Sequence, residues 1–129
     1  MKKILGFGIF FLMLIALLGC SNKSGMKEKE NTLIVYMIGS DLEAKGASGT
    51  NDMKEMLESQ VNLSKNHVVV YAGGTKKWHN DQLTADTGHT ILKLTENGFE
   101  TVLTFSEESM GEAKTLSKFL NKAYEQFTE

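Results

Sequence analysis

The chain contains no proline and no arginine, a single cysteine at position 20, one tryptophan, and no apolar run reaching the roughly 20 residues that cross a bilayer as a stable helix. Each shortage removes a class of protein. Fourteen basic side chains, all lysine, stand against 16 acidic ones, for a formal net charge of −2. Nucleic-acid binding then lacks both a clustered positive field and the bidentate guanidinium contacts it often uses, so no nucleic-acid partner is expected. One cysteine cannot close a disulfide inside the chain, which leaves packing as the source of stability. Histidines occur only at positions 67, 79 and 89. Gaps of 12 and 10 residues match none of the short spacings that place two ligands on one metal, so neither a metal nor another cofactor is expected. The 129 residues leave room for one small domain.

Lys2 and Lys3 open the chain, and Ile4 to Gly19 follows without a charge. A basic start and a short apolar stretch have the anatomy of a secretory signal rather than of a membrane span. The stretch ends in Leu17-Leu18-Gly19-Cys20, which looks like a bacterial lipobox: a small residue precedes a cysteine whose thiol takes up diacylglycerol before the signal is cut away. Residues 1–19 are therefore expected to be a lipoprotein signal peptide, and Cys20 the lipidation site and new N-terminus. Its lipid would hold the protein on the extracytoplasmic face of a bacterial cell membrane. Loss of Lys2 and Lys3 would take the net charge from −2 to −4. Residues 20–31 continue as Ser-Asn-Lys-Ser-Gly-Met-Lys-Glu-Lys-Glu-Asn after the cysteine, too polar to repay the entropy of ordering, and read as a flexible tether.

Thr32 to Ile38 and His67 to Ala72 are continuous apolar, β-rich runs that end at Gly39 and at Gly73-Gly74. Neither alternates, which predicts adjacent parallel strands buried on both faces. Between them, Met53, Met56, Leu57 and Val61 recur at helical spacing opposite Asp52, Lys54, Glu55 and Glu58, with Thr50 or Asn51 able to cap the start. A strand, helix, strand unit results. Thr90 to Leu94 and Phe99 to Phe105 flank Asn97-Gly98, which suits a type I′ hairpin turn. That turn sets Leu92 opposite Leu103 and Leu94 opposite Thr101, with Phe99 and Phe105 on one buried face. Ser109 and Glu112 form a capping box ahead of a helix whose Ala113, Leu116, Phe119, Leu120, Ala123, Tyr124 and Phe127 share a face. An α/β alternation calls next for a strand, and the chain stops at Glu129 before one.

No catalytic constellation emerges from spacing. Gly73-Gly74-Thr75-Lys76 follows a strand but lacks the spaced glycines and the Lys-Ser/Thr pair of a phosphate loop, so a tight turn explains it better. Ser40, Asp41 and His79 could be imagined as a nucleophile, acid and base, yet no Gly-x-Ser-x-Gly elbow supports them, and Ser40-Asp41 serves equally as a turn and cap. Trp78, Met53 and Met56 read as packing residues.

Four stretches in order nevertheless resemble the clostripain family of cysteine peptidases. They are Thr-Leu-Ile-Val-Tyr-Met-Ile-Gly-Ser-Asp-Leu-Glu at 32–43, Thr-Asn-Asp-Met-Lys-Glu-Met at 50–56, Val-Val-Val-Tyr-Ala-Gly-Gly-Thr-Lys-Lys-Trp at 68–78 and Ser-Met-Gly-Glu-Ala-Lys-Thr-Leu-Ser-Lys-Phe-Leu at 109–120. The resemblance implies a caspase-like three-layer α/β/α sandwich, here the incomplete N-terminal portion over 32–129: the first strands, a β-hairpin and two helices. It further implies cleavage after basic residues by a Cys thiolate, with a His as acid and base. In the family the His closes the strand that follows the Ser109 helix and the Cys closes the strand after it, positions that would fall beyond Glu129. No catalytic residue carries over. Gly39, Ser40 and Asp41 carry over as a rim of the active-site edge, although turn formation explains them as well. Two readings follow: the N-terminal piece of a surface-anchored clostripain-like peptidase, inactive alone and meeting a peptide or protein substrate only when completed by downstream sequence, or a non-enzymatic surface lipoprotein acting as a binding module.

Overall fold

The computed structural model describes residues 29–83, 89–106 and 108–127; the expected signal, Cys20 and most of the tether lie outside them. Strand β1 (Asn31–Ile38) leads into two helices, α1 (Ser40–Gly46) and α2 (Ser48–Glu58), and then to β2 (Asn66–Gly73). The hairpin β3 (His89–Thr95) and β4 (Gly98–Phe105) follows, and α3 (Ala113–Phe127) comes last. The sheet order is β1-β2-β3-β4. β1 and β2 pair in parallel, in register from Asn31 with Asn66 to Ile38 with Gly73, and the other two pairings are antiparallel. Among the described residues no helix is long and apolar enough to cross a membrane.

β2 shows why the sheet has two cores. Its alternation sends Val68, Val70 and Ala72 to one face, where they pack with Met37, Met53, Trp78, Leu92 and Phe99. Val69 and Tyr71 point to the other, against Ile91, Met110, Phe119 and Ala123. Three layers result, with α2 on one side and α3 on the other. Tyr71 and Phe119 stack at 4.7 Å between centroids and 10° between planes, and fix α3 over the middle of the sheet.

Several sequence expectations need correction. β2 is interior, but β1 is the edge strand and exposes Leu33, Ile34 and Ile38. The helical segment after β1 is two helices, which makes three among the described residues; Thr50 caps neither, because its hydroxyl and amide both serve a buried carboxylate. Leu57 is exposed rather than packed. The hairpin loop is Glu96-Asn97, because Thr95 pairs with Gly98, and only Gly98 takes a positive φ, of 117°. A type I′ turn would need positive φ at both central residues, so the turn is of another kind. Leu94 accordingly faces Phe99 and Leu92 faces Thr101, and a register shift between Ile91 and Leu92 leaves Val102 as the extra residue. That shift breaks the alternation, so Phe99 joins the α2-side core while Phe105 packs on the α3 side. Both faces of β3 are covered. α3 starts at Ala113, with the Glu112 amide donating to the Ser109 carbonyl and the Thr115 hydroxyl to the same oxygen. Of its expected face, Phe119 and Ala123 are buried, whereas Leu116, Leu120 and Tyr124 are exposed.

Candidate active-site edge

β1 and β2 run in parallel and end side by side, where α/β proteins place their sites. Their pairing continues past the strands: the Gly39 amide donates to the Gly73 carbonyl and the Ser40 amide to the Gly74 carbonyl, both at 2.9 Å. Ser40 holds a left-handed φ of 50°, which a non-glycine residue adopts only when its surroundings impose it. Here both of its backbone groups are tied, since the Thr75 hydroxyl also donates to the Ser40 carbonyl at 2.8 Å. The Ser40 Oγ turns back to accept the Leu42 amide at 3.4 Å. Asp41 is exposed and paired with Lys45.

A groove of about 810 Å³ opens at these strand ends, between the Ser40-Asp41 turn, the Gly74–Lys76 loop and the Ser109–Gly111 segment. A second groove, about 730 Å³ and more apolar, lies along β1 beside α2. The first is the better candidate for chemistry because polar groups converge on it. Its floor holds His89, buried, with Nδ1 3.1 Å from the Tyr71 hydroxyl and the two rings edge to face. Burial, with the negative charge of Glu108 and the neighbouring Tyr36, pushes Tyr71 up to about 12, so the phenol stays protonated at neutral pH. Gly73 is required here: a Cβ would stand 2.3 Å from His89 Cδ2 and 2.8 Å from Met110 Sδ. Glu108, on the rim, is ion-paired with Lys118, whose hydrogen bond holds the carboxyl below the usual range.

Behind the groove lies a buried carboxylate. Glu43 Oε1 accepts from the Thr50 hydroxyl at 2.7 Å and the His79 amide at 2.8 Å, and Oε2 accepts from the Thr50 amide at 2.9 Å. Burial alone would raise its pKa, but the hydrogen bonds from Thr50 and His79 outweigh it and hold the carboxyl below the ordinary Glu value. One side chain thereby ties α1, α2 and the loop after β2 into a single corner.

Gly39, Ser40 and Asp41 thus sit together on the groove, or directly behind it in the case of buried Gly39. Ser40, Asp41 and His79 are not a catalytic set. Ser40 Oγ faces its own helix, Asp41 faces Lys45, and His79 Nε2 lies 3.3 Å from the Ala44 carbonyl. After β2, Gly74 takes a positive φ of 70° and the Thr75 hydroxyl bonds the Ser40 carbonyl, with Lys76 and Lys77 in solvent. Among the described residues, no three His, Cys, Asp or Glu side chains are placed to hold a metal ion. Periodicity did not single out Glu43 or the Tyr71–His89 pair, because a lone acid in a turn and a histidine opening a strand carry no spacing signal.

The clostripain family model matches residues 35–129. Comparison with curated protein sequences finds no match. Among solved structures, a B. fragilis cysteine protease superposes with a TM-score of 0.54 at 20% identity, over 76% of this chain and 78% of its own. A clostripain from Bacteroides thetaiotaomicron, in complex with a peptide inhibitor, gives 0.52 at 17% identity over 75% and 78%. Iotapain, a secreted cysteine protease from the same organism, gives 0.52 at 20% identity over 75% of this chain but 26% of its own. At these identities the structures speak for the fold, a caspase-like α/β arrangement, and the sequence match speaks for descent. The chain belongs to the clostripain family.

Proposed function

We propose that this chain is the amino-terminal portion of a lipid-anchored, extracytoplasmic clostripain-type cysteine endopeptidase that cleaves after Arg or Lys, and that residues 1–129 alone do not cleave peptides. One observation carries the reading: the only thiol in 129 residues is Cys20, directly after the apolar run of a secretory signal. Cysteine peptidase chemistry needs a thiolate beside a histidine that serves as acid and base. A thiol committed to a lipid cannot attack a carbonyl. The turn at Gly39–Asp41 and the groove at the ends of β1 and β2 would then serve as one wall of an active site whose reacting groups come from elsewhere.

The purified chain should show no turnover of fluorogenic peptides containing Arg or Lys and no labelling by basic chloromethyl ketones. Thiol-reagent-sensitive turnover that disappears in Cys20→Ala would overturn both the inactivity and the assignment of Cys20 to a lipid. A membrane partner is tested separately, by whether the protein fractionates with the cell envelope.

A further inference from the structure

The lysines of the chain differ in how their charge is met. Lys45, Lys65, Lys114, Lys118 and Lys122 each hold a carboxylate at 2.5–2.9 Å. Lys54, Lys76 and Lys77 stand in solvent, where water hydrates them. Lys29 and Lys93 belong to neither group: both are half-buried, and among the described residues neither has a carboxylate within ion-pair distance. They line one pocket of about 230 Å³, at the end of the sheet where β1 and β2 begin. Lys29, just ahead of β1, gives a hydrogen bond to the Leu63 carbonyl, and the Lys93 ammonium, on β3, lies 5.9 Å from the centre of the Phe127 ring. Taking an ammonium out of water without a counter-ion is unfavourable, and an anion in the pocket would offset that for both.

Other polar groups of the wall are already engaged. The Ser64 hydroxyl donates to the Asn62 side chain, the Asn66 side-chain amide to the Asn62 carbonyl, and the Thr95 hydroxyl to the Gly98 carbonyl. Glu96 stands exposed on the rim, and Glu30 is occupied by Lys65. His67 lines the same pocket. Burial, followed by the charges of Lys93 and Lys29, holds its pKa below the ordinary value, so the ring is neutral at pH 7 and both ammonium groups act on one place. Position along the chain points to the source of the anion. Lys29 is nine residues from Cys20, and an extended chain covers at most ~3.6 Å per residue, which puts it within ~30 Å of that cysteine. A lipid on Cys20 would keep the pocket within reach of the headgroups. From there β1 runs eight residues, or ~26 Å, to the Gly39–Asp41 turn at the far end of the sheet.

We propose that the pocket between Lys29 and Lys93, beside His67, receives the phosphate of an anionic phospholipid headgroup, and so seats the start of the sheet on the membrane with the candidate active-site edge turned away from it. This rests on the lipid anchor proposed above for Cys20. Lysine meets phosphate as a point charge, and each lysine near an anionic surface adds to attachment. With the sheet held end-on, the groove at the far ends of β1 and β2 opens toward soluble peptides rather than toward the bilayer.

The test is acetylation by a water-soluble reagent, read lysine by lysine by mass spectrometry, on the protein purified from bacterial membranes and placed in vesicles of phosphatidylcholine, alone or mixed with phosphatidylglycerol. Phosphatidylglycerol should slow the labelling of Lys29 and Lys93 by about fivefold or more and leave Lys76 and Lys77, exposed at the opposite end, unchanged. Lys93→Gln, with an unaltered circular dichroism spectrum, should abolish most of that protection at Lys29. Equal labelling of Lys29 and Lys93 in the two kinds of vesicle, or equal slowing at all four lysines, overturns the headgroup pocket. Slowing by inorganic phosphate in phosphatidylcholine vesicles, with none by phosphatidylglycerol, overturns the lipid source in favour of free phosphate. The mass of the amino-terminal peptide reads the anchor separately: an unmodified Cys20 overturns the anchor, whereas a lipidated Cys20 with evenly labelled lysines overturns the pocket alone.

Discussion

Glu43 offers the sharpest test of how the candidate site is held. Its carboxylate is fully buried and accepts three hydrogen bonds, from the Thr50 amide, the Thr50 hydroxyl and the His79 amide, at 2.7–2.9 Å. A hydrogen bond to a charged acceptor contributes ~1.5–3 kcal/mol, and a buried donor left without a partner costs ~1–3 kcal/mol. Glu43→Gln keeps one oxygen, enough for the Thr50 hydroxyl and the His79 amide, but turns an amide donor on the Thr50 N–H. The expected loss is ~2–3 kcal/mol. Glu43→Leu strands all three donors and regains only the desolvation of the carboxylate, for ~4 kcal/mol, a large share of the ~5–15 kcal/mol that holds a small domain together. Denaturant unfolding at neutral pH measures both, and amide exchange at Thr50 and His79 reports the corner itself. Acid adds a second readout. Since the folded carboxyl lies below its ordinary value of 4.5, its stabilisation is complete above that value and is lost as the pH falls through the folded value. The wild type should therefore lose its advantage over Glu43→Gln in acid. A Gln variant within ~0.5 kcal/mol of wild type at pH 7, with unchanged exchange at both amides, would refute the clamp.

Further expectations concern the ends of the chain and the centre of the sheet. Cys20→Ala should block lipid attachment and leave the precursor uncut; ordinary fatty-acid labelling of that variant would exclude Cys20 as the acceptor. Gly73→Ala drives a methyl into the His89 ring and Met110 sulfur, and should destabilise by ~2 kcal/mol or more in a denaturant titration, whereas Gly111→Ala, with only Ser109 Oγ nearby at 3.8 Å, should change little. His67 has a buried Nδ1 without a hydrogen-bond partner among the described residues, and burial, Lys93 and Lys29 hold its pKa below the ordinary value. The unfolded chain then takes up the proton more readily, so stability should fall as the pH drops through the ordinary value of 6.5 toward the lower folded value, and His67→Phe should flatten that slope. An unchanged slope would show that His67 titrates alike in both states.

Local chemistry made part of this fold readable. Runs of β-branched residues marked β1 and β2, a 3.6-residue period marked α2 and α3, and four ordered stretches marked the family. A short-range signal suffices for these because strand and helix periodicities reside in neighbouring side chains. It does not reach questions of partnership. Thr32 to Ile38 and His67 to Ala72 look alike as strings, yet one is an edge and the other lies between two strands, since burial on both faces depends on pairing with segments distant in the chain. The register shift near Ile91 sends Phe105 to the opposite face from Phe99, which no alternation rule foresees. Leu116 and Leu120 share an apolar face with Phe119 but stay exposed, because the helix presents only a narrow line to Tyr71 and Ile91. Glu43 reads as a turn acid until the chain closes around it and three donors converge from the next helix and a loop. Position along the chain carries no record of such convergence; only the packed structure brings the donors within hydrogen-bonding range of one carboxylate.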